Sequence, residues 1–136
     1  MSDPEILFGI YCPPHPQPLL SPDASEGYGK LRDAFETCRK RIEESEADLI
    51  LVYSTTWPSI IGHQIQGHPE PEWVPVDDDF HYLGSMPYKF KMDTEFAEKF
   101  RNCAESRGLQ SRTVGYEGFA IGTGSIVALS VRFPDD

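Results

Sequence analysis

His15 stands in the run Cys12-Pro13-Pro14-His15-Pro16, directly after the apolar residues 7–11. An imidazole at such a place can bind a metal ion or carry a proton. A second apolar run, residues 49–53, leads straight into Ser54-Thr55-Thr56-Trp57. Hydroxyls and an indole can hold a ligand, but they are poor metal donors. Two strand ends that present polar residues to one crevice are the usual way an open α/β sheet builds a site. His15, Thr55, Thr56 and Trp57 are therefore the expected lining, with His15 as its metal-capable member.

Weaker candidates lie elsewhere. His63 and Glu117 carry acid/base groups, and His63, His68 and His81 could in principle supply replacement metal ligands, although Gly62, Pro69 and Asp79 beside them suggest loops. Asp77-Asp78-Asp79 reads as a solvated acidic loop, because the spacing and terminal Glu of a calcium-binding EF-hand are missing. Glycines 115, 118, 122 and 124 do not follow the GxGxxG order that opens a dinucleotide-binding helix.

The elements that would position these groups follow from periodicity. Residues 6–11 are apolar on both alternating faces, which predicts a central, doubly covered strand. From Glu26, the apolar residues Tyr28, Leu31, Phe35, Cys38 and Ile42 recur every three or four positions and predict a helix running to about Ala47. Residues 49–53 predict a second central strand, so that 6–53 reads as a βαβ unit with His15 and Thr56 beyond the carboxyl ends of parallel strands. Between Pro58 and Tyr88 fall five of the twelve prolines, and only residues 60–65 look strand-like, as in a long binding loop or lid. Asp93 is a suitable N-cap for a second helix that carries Phe96, Ala97, Phe100 and Ala104 on one face and ends at Gly108. A strand over 111–114, a glycine-rich turn and a last strand over 126–133 complete the order. The whole of 1–136 reads as a single domain.

The net charge is −10, from 22 acidic against 12 basic residues, and the basic cluster at 39–41 is answered by Glu43, Glu44 and Glu46. This disfavours nucleic acid and anionic membrane surfaces as partners. No apolar run approaches the roughly 18 residues of a membrane helix, and no leader pattern is visible. Cys12, Cys38 and Cys103 are odd in number and widely spaced, without a CxxC pair, which fits a reduced cytoplasmic setting.

The order of apolar strand and His-Pro, helix, Asp48-Leu-Ile-Leu-Val-Tyr-Ser54-x-x-Trp57, Gly62-His63-Gln64-Ile65-Gln66-Gly67-His68-Pro69, Asp79-Phe80-His81-Tyr82-Leu83-Gly84 and Asp93-Thr-Glu-Phe-Ala-Glu-Lys-Phe100 resembles the class III extradiol ring-cleavage dioxygenases. The resemblance is closest to the subunits of the 2-aminophenol type, spans nearly the whole chain and covers the N-terminal part of that fold. It implies a shortened α/β domain with a central, mostly parallel sheet flanked by helices. It also implies chemistry of aromatic catabolism, in which non-haem Fe(II) held by two histidines and a carboxylate cleaves a ring with O₂. His15 matches the first histidine. Thr56 stands at the second histidine's place, before Trp57. The carboxylate ligand belongs to the later part of the fold, and the acid/base histidine expected in the glycine-rich turn is replaced by Tyr116-Glu117-Gly118-Phe119.

The resemblance thus points to a non-catalytic or accessory subunit whose Fe(II) sits in a partner subunit, with none bound by this chain alone and His15 vestigial. Two alternatives stand beside it: an active dioxygenase-family enzyme with an altered metal site around His15 and Glu117, and a small-molecule binding or regulatory domain that takes an aromatic compound. The expected partner is an iron-bearing dioxygenase subunit or a second copy of the chain, because Trp57, Trp73, Phe80, Tyr82 and Tyr88 in or beside one loop exceed what a small core covers.

Overall fold

Ser25 starts the longest element of the chain: its hydroxyl accepts the Tyr28 N–H at 3.2 Å, capping helix α2 (Glu26–Glu44), which follows the short α1 (Gln17–Leu20). The structure is a computed structural model that describes residues 3–130. The predicted stripe is the buried side of α2: Phe35 is buried, and Tyr28, Leu31, Cys38 and Ile42 are half-buried. Along one edge of that stripe the half-buried Arg39 pairs with Glu36 and Glu43. The helix stops short of Ala47 because the Ser45 hydroxyl turns back onto the Ile42 carbonyl at 2.7 Å and Glu46 takes a left-handed φ of 54°.

The parallel pairing lies elsewhere than the sequence suggests. Strand β1 (His63–Gln66) pairs with β4 (Ser111–Val114), His63 opposite Ser111 and Gln66 opposite Val114. Helix α3 (Thr94–Ser106) lies between them in sequence and packs on both, so the crossover unit is β1–α3–β4. The Asp93 carboxylate accepts the Phe96 N–H at 2.8 Å, and Gly108 ends the helix with φ 82°, a conformation that disfavours any residue with a Cβ. Ala97 and Ala104 face the core, while Phe96 and Phe100 remain partly exposed against each other.

The proline-rich segment is more ordered than its composition suggests. Strands β2 (Glu72–Trp73) and β3 (Tyr88–Lys89) form an antiparallel ribbon prolonged by a Val76–Ser85 bridge. The carbonyls of Pro69, Pro71 and Pro75 accept the N–H groups of Met92, Phe90 and Met86 at 2.9, 3.1 and 2.9 Å. Proline is tolerated at these places because a two-stranded ribbon has only edges and needs no full ladder.

Helix α4 (Thr123–Ser130) replaces the strand expected from residue 126; residues 131–133 of that expectation lie outside the described ones. Its apolar residues face both ways. Ile126 packs with Met86, Tyr88 and Ile121, and the fully buried Val127 packs with Phe35, Cys12 and Cys38. A short helix buried on opposite sides has no polar stripe, so its sequence looks like a buried strand.

The expected strands over 6–11 and 49–53 are not formed, and neither is the βαβ unit they would frame. A strand exists only when paired, and among the described residues no strand lies beside either run. The fold is therefore α/β with a two-stranded parallel sheet and an antiparallel ribbon, rather than one central sheet.

Candidate functional site

The two polar turns singled out from the sequence do meet, and α4 is what they meet on. A Cβ on Gly124 would lie 2.9 Å from the Thr56 hydroxyl and 3.0 Å from Pro14 Cβ, so the turn before His15 and the turn at Thr56 both close onto the first turn of that helix. Only a residue without a side chain leaves room for this approach. The Thr56 turn is shaped by Ser54, whose hydroxyl accepts the N–H groups of Thr56 and Trp57, each at 3.3 Å. Trp57 is half-buried, donates Nε1–H to the Ala120 carbonyl at 2.9 Å and leans on Phe119 at 5.6 Å between ring centroids. Thr55 is exposed.

His15, one residue past Pro14, is exposed, with its ring edge-on to Phe80 at 6.0 Å. Near it lies Asp77, half-buried and hydrogen-bonded rather than in the solvated acidic loop that its sequence predicts. One Asp77 oxygen accepts the N–H groups of Asp79 and Phe80 at 3.0 and 3.1 Å, and the other accepts the Thr123 hydroxyl at 2.5 Å. Burial pushes the Asp77 carboxyl up, but the bonds from Thr123, Phe80 and Asp79 and the proximity of His15 together outweigh it and hold the group below its ordinary value. Asp77 thus ties the ribbon loop to the start of α4. The available signal was an Asp two and three residues ahead of backbone N–H groups it could accept, a turn pattern masked by Asp78 and Asp79.

A second concavity, of about 220 Å³, opens at the carboxyl ends of β1 and β4. Trp73, Tyr88, Tyr116 and Phe119 give it aromatic walls, and His68 and Glu117 give it polar ones. Tyr88 is buried and accepts the Ile121 N–H on its hydroxyl at 2.9 Å, whereas Trp73 and Tyr116 are exposed. His68 Nδ1 accepts the Glu70 N–H at 3.1 Å, which leaves Nε2 to carry the proton of the neutral ring.

The remaining candidates are scattered. His63 is exposed at the start of β1, His81 opens a 3₁₀ turn against Tyr82, and Glu117 lines the second concavity, which His15 does not. His15 and Glu117 are thus in different surroundings. The iron implied by the resemblance needs two imidazoles and a carboxylate on one face. The crevice offers one imidazole, the Thr56 hydroxyl and a carboxylate already accepting three hydrogen bonds. These donors do not fit ferrous iron, and among the described residues no three His, Cys, Asp or Glu side chains gather to hold a metal ion. No described helix is long and apolar enough to cross a membrane.

No protein-family profile matches the chain. Among the curated proteins that it does match are two from a Pseudomonas species. The chain is 28% identical to a 2-aminophenol 1,6-dioxygenase alpha subunit over 123 residues, covering 90% of this chain and 45% of that protein. It is 31% identical to a 2-aminophenol 1,6-dioxygenase beta subunit over 144 aligned residues, covering 98% of this chain and 46% of that protein. The chain spans just under half the length of these relatives.

Proposed function

We propose that the chain, similar to the 2-aminophenol 1,6-dioxygenase alpha and beta subunits, carries part of a ring-cleavage dioxygenase scaffold and serves as a non-catalytic, accessory subunit of such an enzyme. The observation that carries this reading is Thr56. It occupies the place where the resemblance calls for the second iron-binding histidine, and its hydroxyl lies beside Gly124 on the exposed rim of the turn. A neutral hydroxyl is a poor substitute for imidazole on iron. The crevice residues keep roles that need no metal: His15 and Thr56 offer polar contacts, and Trp57 and Phe80 offer ring surfaces to an aromatic compound or to a partner's side chain. Iron and turnover belong to the partner subunit.

The test is metal analysis and activity on the purified chain, alone and after mixing with an iron-bearing dioxygenase subunit. Alone, the chain is expected to hold far less than one iron and to leave 2-aminophenol, catechol and protocatechuate intact; mixed, it co-purifies with the partner. A stoichiometric ferrous site with ring-cleavage turnover by the chain alone overturns the reading in favour of an altered active enzyme.

The aromatic-walled concavity favours a second reading, a domain that binds a small aromatic molecule, since convergent polar groups in an aromatic pocket are the common form of a ligand site. Quenching of Trp73 fluorescence by 2-aminophenol, without any partner chain present, would distinguish it.

A further inference from the structure

Two runs of the chain have the side-chain pattern of buried strands and stand in the open. Leu49, Leu51 and Tyr53 project from alternate positions and are 41, 64 and 77% exposed, while Ile50 and Val52 between them are half-buried. That alternation is an extended segment with one face on the domain and the other uncovered. In residues 6–11, Ile6 and Tyr11 are 91 and 96% exposed, and only Phe8, beneath the Arg41 guanidinium at 4.9 Å, is half-buried. Among the described residues, neither run makes a backbone-to-backbone hydrogen bond. Exposed large apolar side chains on a backbone with free N–H and C=O groups are a template for strand pairing.

The relatives indicate what covers them. The matches take in 90 and 98% of this chain, yet they account for only 45 and 46% of the relatives' own length. The beta-subunit match is long enough to span both runs, and more than half of that subunit's polypeptide lies outside the match and is free to cover them. We infer that residues 6–11 and 49–53 are docking strands, paired in the assembled protein by apolar strands of a polypeptide equivalent to the unmatched remainder of a 2-aminophenol 1,6-dioxygenase subunit. The choice of occupant rests on the dioxygenase-subunit reading given above. The docked strands complete a sheet on the Leu49, Leu51 and Tyr53 face and bring new side chains next to the His15 and Thr56 turns, which directly follow the two runs in sequence.

The full chain is co-expressed with the part of the Pseudomonas beta subunit that lies outside the match, and amide hydrogen exchange is compared with that of the chain alone. The expected result is a one-to-one complex in which exchange over 6–11 and 49–53 slows at least tenfold. The double substitution Leu51→Lys, Tyr53→Lys, both on the exposed face, abolishes the complex while leaving the circular dichroism of the free chain unchanged. Failure to form a complex, a complex that leaves both runs unprotected, or protection arising from self-association of the chain alone would each overturn the inference. If the chain binds an intact iron-bearing subunit with both runs still exchanging freely, the inference is lost and the accessory-subunit reading stands.

Discussion

Replacing Asp77 with Ala removes the acceptor for three donors at once: the Thr123 hydroxyl and the N–H groups of Asp79 and Phe80. A hydrogen bond to a charged group contributes about 1.5–3 kcal/mol when shielded and about 0.5 kcal/mol when water can replace it. Asp77 is half-buried, so the short Thr123 bond counts at about 1.5 kcal/mol and the two turn bonds at about 0.5 kcal/mol each, or roughly 2.5 kcal/mol in all. For a chain of this size that corresponds to a fall of roughly 10 °C in Tm. Asp77→Asn keeps an oxygen for the two backbone donors but loses the charge and turns the acceptor facing Thr123 into an N–H donor, so the Thr123 bond survives only in the reverse direction and the change costs about 0.5–1 kcal/mol. The pH dependence has a definite sign. The folded carboxyl titrates below its ordinary value, so its contribution is complete above the unfolded pKa of about 3.9 and disappears as pH falls through the folded value. Differential scanning calorimetry from pH 3 to pH 7 on wild type, Asp77→Asn and Asp77→Ala reads this directly. Wild type and Asp77→Asn should differ near neutrality and converge at the acid end. An unchanged Tm for Asp77→Ala, or a wild type to Asn gap that persists at the lowest pH, would refute the role given to Asp77.

Three further outcomes are expected. Thr56→His places an imidazole beside the His15 turn, and calorimetric titration with ferrous ion should show at least tenfold tighter binding than wild type; no gain would mean that position 56 does not face the His15 side chain. Burial, and secondarily Cys38, pushes the Cys12 thiol up to about 11, so at pH 8 iodoacetamide should modify the exposed Cys103 first and Cys12 only as pH approaches that value; equal rates at pH 8 would contradict this. Val127→Ala, at a fully buried position shared with Phe35, should cost about 1.5–3 kcal/mol in urea unfolding.

What could be read from the sequence was local. The stripe of α2, the Asp93 cap, the Gly108 stop and the 111–114 strand each rest on a few neighbouring residues, and each is present. The misreadings concern partners far along the chain. Residues 6–11 and 49–53 have strand-forming side chains, but pairing is a property of two segments, and a single run cannot reveal that its mate is missing. Ile126 and Val127 looked like a strand because burial on both sides of a helix erases the 3.6-residue pattern. Within the crevice, the convergence of Pro14 and Thr56 was foreseeable from the two turns, whereas Gly124 and Asp77 were not, because their importance comes from what approaches them.

In the antiparallel ribbon, Pro69, Pro71 and Pro75 each sit opposite a residue whose N–H they accept, and none can return the bond. An ordinary facing pair exchanges two bonds. Each of these three pairs holds one, so over those positions the ribbon closes like a zipper with teeth on one side only. Opening the ribbon at these three pairs breaks one backbone bond at each instead of two, while the fixed proline φ angles keep that strand extended. Pro71, Trp73 and Tyr88 of this ribbon also wall the aromatic concavity. The wall of that concavity is thus singly bonded at three positions, and what anchors it is side-chain packing: Met86 and Tyr88 sit against Ile121 and Ile126, and the Tyr88 hydroxyl holds the Ile121 N–H, so a ligand that displaced the ribbon would have to loosen α4 as well.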